Sequence, residues 1–106
     1  MKKEDLLKYA VNITSYITDI SDVFILSPSK TSEVVDARYL VVHILNKKGL
    51  YPNEIAKVMK CTATNIRIML SSLYERAKGN YSFRMKLKTI DKELENDNSV
   101  FDRVSA

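Results

Sequence analysis

The sequence predicts an all-α domain, a compact bundle of about five helices containing a helix-turn-helix. Three observations predict it. Only two glycines and two prolines interrupt the 106 residues, too few breakers for a many-turned β fold. Apolar residues recur at three- and four-residue steps along most of the chain, the period of helices with one buried stripe. The content of 45% apolar and 28% charged residues belongs to a globular chain rather than a disordered one. The length suits one domain with a modest core, placed at residues 1–95, with 96–106 a polar C-terminal tail.

The first helix is expected over residues 3–23, where Leu6, Leu7, Ala10, Val11, Ile13, Ile17, Ile20 and Val23 form an amphipathic stripe. The segment LSPSKTS, residues 26–32, reads as a polar loop. Thr31 or Ser32 is positioned to cap a second helix, with Glu33 at its positive end. That helix, EVVDARYLVVHILNKK, carries Val34, Ala37, Val41, Ile44 and Leu45 on one face. Gly49 ends it, because glycine takes a left-handed conformation at least cost, and Pro52 opens a short third helix at a position that needs no amide hydrogen. The third helix should stop near Met59. A fourth runs from about Thr62 to Lys78, before Gly79 and Asn80, and a fifth from about Ser82 buries Phe83, Leu87, Ile90 and Leu94. The tail after Glu95 should fray, unless Val100, Phe101 and Val104 dock.

The third and fourth helices carry the functional signal, at about residues 52–78. Ile55 and Ala56 supply an inward pair with a small residue at the crossing. Met59 closes the first rod, Cys61 reads as a buried plug beneath the turn, and Ile66, Met69 and Leu70 form the inward side of the second rod. This is helix-turn-helix spacing, and the second helix of that motif enters a major groove. The turn position after Met59, commonly glycine, holds Lys60, a residue that can take a left-handed conformation at modest cost. Thr62 is the expected N-cap, and Ala63, Thr64 and Asn65 stand at the entry to the groove. Arg67, Ile68 and Ser71 continue the outward side. Asparagine pairs with adenine, arginine with guanine, and small methyls with thymine, while Lys57 and Lys60 flank the turn where phosphates would lie.

Charge points the same way. Residues 57–92 hold nine basic and two acidic side chains, a net +7, whereas residues 1–56 balance and 93–106 sum to −3. A basic block of this kind fits a polyanion, although lysines for solubility would look alike. The expected partner is therefore double-stranded DNA, with a homodimer through the first helix left open, since a dimer could set two reading helices one DNA turn apart.

Other classes fit less well. A lone cysteine and a lone histidine, His43, eighteen residues apart do not make a zinc site, and two glycines leave no phosphate-cradling loop. His43 lies within LVVHILN and reads as a packed residue, and Asp36 and Arg38 face different sides of one helix. No enzyme, metal or cofactor is predicted. The N-terminal run is interrupted by Asn12, Thr14, Ser15, Thr18 and Asp19, which argues against a signal peptide. No segment reaches the roughly 18 apolar residues of a membrane span, so a cytoplasmic location is expected. The rival reading is a helical protein–protein interaction module without DNA binding, because six tyrosines suit an interface.

The segments SKTSEVVDARYLVVHIL and LYPNEIA resemble the C-terminal DNA-binding domain of the bacterial replication initiator DnaA, as do the features in order from about Ile13 to Leu94. The resemblance implies a role in replication or transcription regulation and a basic loop on DNA, where Lys30 is the matching residue. The family's recognition-helix signature of Arg-Asp-His and two hydroxyl residues does not occur; KCTATNIR stands in its place. The initiator's target sequence is accordingly not implied. TATNIRIMLSSLYERA also resembles region 4 of sigma factors.

Overall fold

A computed structural model describes residues 2–105, with side chains described through Asn96. Among the described residues there are six helices and no strand. They are α1 Lys3–Thr18, α2 Asp22–Ile25, α3 Ser32–Lys47, α4 Pro52–Met59, α5 Ala63–Gly79 and α6 Tyr81–Ser105.

α3 is the central rod and touches each of the other five helices. Its sequence explains this. Leu40, Val41, Val42, His43, Ile44 and Leu45 are all buried, so the helix is covered around its full circumference there and apolar except at His43, as suits a surrounded helix. The single apolar face expected from its spacing is thus too narrow. The helix ends as expected: Gly49 adopts φ 102, and the amides of Gly49 and Leu50 close back onto the carbonyls of Asn46 and Leu45 at 3.0 and 3.1 Å. Leu50 is buried against the helix it terminates, completing the glycine-ended cap.

The first expected helix is in fact two. The run over 3–23 breaks at Asp19, which takes φ 59. Two hydroxyls draw the chain out of the helix: Thr18 Oγ1 donates to the Thr14 carbonyl at 2.7 Å, and Ser15 Oγ donates to the Ile20 carbonyl at 2.6 Å. Side-chain bonds of this type compete with the helical ladder. α2 then leaves only Ile25 buried, and Val23, assigned to the buried stripe, is exposed. Thr14 itself is wholly buried, with its Oγ1 unpaired among the described residues.

Two helix ends also depart from expectation. Thr31 is the N-cap of α3 but makes no side-chain cap bond; its hydroxyl lies 3.3 Å from Ser29 Oγ instead. The backbone of α6 continues to Ser105 rather than ending at Glu95. Its 25 residues span about 37 Å at helical rise, close to the molecule's longest dimension of 41 Å. The docking of Val100, Phe101 and Val104 lies outside the described side chains. Upstream, Asn80 Oδ1 caps α6 by accepting from the Phe83 amide at 3.0 Å, and Phe83, Leu87, Ile90 and Leu94 are buried as one stripe.

Candidate functional site

α4 and α5 form an elbow whose interior is Ile55, Ala56 and Ile66, all buried. Met59, Met69 and Leu70 pack against this cluster from its edge. Pro52 occupies the first turn of α4, and Glu54 reaches back to accept the Tyr51 amide at 3.0 Å. Glu54 also binds Lys3 Nζ at 2.8 Å. Those two partners, Lys3 first, hold its carboxyl below the usual carboxylate range.

The turn itself is Lys60, Cys61 and Thr62. Lys60 takes φ 57 and ψ 48, the left-handed conformation that the spacing requires of it. The Cys61 amide donates to the Ala56 carbonyl at 2.9 Å. Thr62 then caps α5, its Oγ1 accepting from the Asn65 amide at 3.1 Å.

Cys61 is not a buried plug. It is exposed, because the elbow is already filled by Ile55, Ala56 and Ile66, with Met59 and Met69 closing its edge. Partial desolvation against a neighbouring cleft nevertheless pushes its thiol above the ordinary cysteine value. At neutral pH it is therefore a protonated thiol and a poor nucleophile.

The other residues expected on the outward side are exposed except Ala63, which packs partly against the core. Thr64, Asn65, Arg67, Ile68 and Ser71 are exposed on α5, as are Thr62, Lys57 and Lys60, and Ala63 is half-buried. Lys30 is exposed in the loop between α2 and α3. That loop is close to the elbow: Leu26, Ser27 and Pro28 face Lys60, Cys61 and Asn65 across an open cleft of about 400 Å³.

Several side chains that place this site carry no signal in the sequence spacing. Asn53 Oδ1 accepts from Arg67 Nη2 at 3.2 Å and ties α5 to the first turn of α4. Arg38 donates through Nε to the Ile25 carbonyl at 3.0 Å and through Nη2 to the Ser27 carbonyl, which fixes the loop beside the elbow. Asp36 and Arg38 are thus not a pair, as their positions on the helix require. Asp36 instead binds Arg76 Nε at 2.5 Å, from α3 to α5. The Arg76 guanidinium lies over the Tyr39 ring, 4.5 Å from its centre, and the Tyr39 hydroxyl is 3.3 Å from Ser72 Oγ. Tyr39 packs edge-on against Phe83 at 6.3 Å. Together these contacts hold α5 on α3 and α6. His43, 4% exposed, is likewise a packed residue, with Nε2 2.6 Å from Asp91 Oδ1 on α6.

The basic residues of 57–92 do not all gather in one place. Arg76 is paired with Asp36, and Lys78 lies 3.4 Å from Glu75. Lys86 lines a second cleft with Glu33 and Asp36, which shares no residue with the first. The basic groups at the elbow are Lys57, Lys60 and Arg67, beside the loop carrying Lys30.

Among the described residues, no group of three or more His, Cys, Asp or Glu side chains converges as a metal site, and no helix is long and apolar enough to cross a membrane. No protein-family model, curated protein or solved structure matches the chain.

Proposed function

We propose that the chain binds double-stranded DNA through α4 and α5 acting as a helix-turn-helix, with α5 in the major groove. One observation carries this reading. The outward side of the first turns of α5 is Thr64, Asn65, Arg67, Ile68 and Ser71, all exposed, directly after a left-handed turn flanked by Lys57 and Lys60. These are the side-chain types that meet base edges, set beside the types that meet phosphates. Lys30 is an accessory phosphate contact from the neighbouring loop. The likeness of the α3–α4 segments to the initiator's DNA-binding domain supports a role in replication or transcription regulation, within the compartment that holds the chromosome.

Titration of labelled duplex against the full chain at stepped salt tests this. Binding should weaken steeply with salt as counterions are released, and Lys57→Ala should weaken all sequences alike. Arg67→Ala should cost about 1–3 kcal/mol and relax preference at one base. No affinity for duplex even at low salt would remove the proposal.

A second reading, a protein-interaction module, is favoured by the division of the basic residues of 57–92 between the elbow and other places, and by α2 and its flank. Val23, Phe24 and Leu26 are 74%, 61% and 52% exposed, three large apolar side chains in four residues. Phe24→Ser should leave duplex binding untouched if DNA is the partner of the elbow.

A further inference from the structure

Resting on the DNA-binding reading, we infer that Ile68 is a specificity residue that reads the 5-methyl group of a thymine in the major groove. Thr64, Ile68 and Ser71 stand four and three residues apart, so they share one face of α5. Ile68 is the exception on that face. Its side chain is 56% exposed and belongs to neither the core nor the ring of half-buried residues packed against it. Burial in the core therefore does not account for its chemistry.

The neighbouring hydroxyls are occupied elsewhere. Ser71 Oγ donates to the Ile68 carbonyl at 3.0 Å, and Ser72 Oγ donates to the same carbonyl at 2.7 Å. On the outward face the Ser71 hydroxyl is thus turned back onto the helix's own backbone, and Ser72 lies half-buried beside Tyr39. What the helix presents to a base pair here is a branched hydrocarbon. Of the groups lining the major groove, the thymine methyl offers the largest apolar contact, so a thymine satisfies this position, and a cytosine in its place lacks the methyl and brings an amino donor alongside.

The chemistry allows a test that removes one methyl and nothing else. Bound duplexes are selected from a random pool with the full chain, and each thymine of the enriched site is replaced in turn by deoxyuridine. One thymine should show about a fourfold loss, the effect of leaving one methyl-sized group unburied at about 0.8 kcal/mol. With Ile68→Ser that thymine and deoxyuridine should bind equally, and Phe24→Ser, on α2 and away from the elbow, should keep the fourfold difference. Circular dichroism confirms that each variant folds; where Ile68→Ser does not, Ile68→Val, one methylene shorter, should shrink the fourfold difference at that same thymine, and an unchanged difference overturns the inference. Enrichment of a site with no methyl-sensitive thymine overturns the inference, as does a methyl dependence that survives Ile68→Ser, or a pool bound with no sequence enriched. All three leave duplex binding itself standing. A chain that binds no duplex at low salt fails at the earlier step, and the two failures are distinguishable.

Discussion

The joint between α1 and α2 and the joint between α4 and α5 are built alike. Each has three residues: a left-handed one, Asp19 at φ 59 or Lys60 at φ 57, a spacer, Ile20 or Cys61, and a hydroxyl N-cap, Ser21 or Thr62. Their products differ. The first ends in a four-residue helix with one buried side chain, Ile25. The second ends in a seventeen-residue helix seated by Ile66, Leu73 and Ala77. The turn does not set the length of the helix beyond it; the apolar period of that helix does. A helix of one turn cannot repay its nucleation without tertiary support, and a long periodic one can present an outward face in fixed register.

The two joints should part most widely when a seat is removed. Ile66→Ala should destabilise the fold by about 2–5 kcal/mol, through the lost methylenes and the cavity left in the elbow. Urea unfolding monitored by circular dichroism measures it, and duplex binding should fall with it. A loss below about 1 kcal/mol would mean that the elbow is not seated by this side chain.

The caps come next. The Thr62 bond to the Asn65 amide is 3.1 Å, and the Ser21 bond to the Phe24 amide is 3.5 Å. Thr62→Ala should therefore cost about 1 kcal/mol and Ser21→Ala a few tenths. Equal losses would show that cap geometry does not distinguish the two joints.

The left-handed residues offer a gain. Lys60→Gly should stabilise by up to about 1 kcal/mol, because lysine bears a Cβ penalty at positive φ. Asp19→Gly should gain less, since aspartate tolerates that region better than lysine. Thermal melts of the two variants rank them, and a destabilised Lys60→Gly would contradict the geometry.

The smallest effect lies at the brace between α1 and α4. Lys3 and the Tyr51 amide depress the Glu54 pKa below its ordinary 4.5. A lowered folded pKa adds stability above the unfolded value, and that stability is lost as pH falls through the folded pKa. In Lys3→Gln the Glu54 carboxyl, followed by NMR titration, should move back up toward 4.5. An unchanged titration would show that the ion pair contributes nothing in solution.

The difference between the joints also explains which parts of the fold were legible in the sequence. Ile55, Ala56, Ile66, Phe83, Leu87, Ile90 and Leu94 stand at helical spacing and are buried. Gly49 and Pro52 announce their own conformations. The break at Asp19 announces nothing, because apolar steps run straight through Ile17, Ile20 and Val23 and the stop is made by the hydroxyls of Ser15 and Thr18. Cys61 was legible as a small apolar residue, but its burial depended on whether Met59 and Ile66 left room. Within the candidate site, the exposed side of α5 comes from one period. The supports do not: Arg67 meets Asn53 fourteen residues away, and Arg76 meets Asp36 forty residues away. Such pairings are products of the assembled fold.

The guanidinium of Arg38 has a consequence for motion. α2 has no basic residue in its last turn, and Arg38 supplies that charge from α3 by binding the carbonyls of Ile25 and Ser27. The small helix and the loop carrying Lys30 are thereby tied to the central rod by this guanidinium, beside the buried Ile25. Such a segment opens as a unit, and its amides should exchange with solvent long before those of α3. Arg38→Ala should therefore speed the exchange of the amides around Ser27 and leave those of α3 slow.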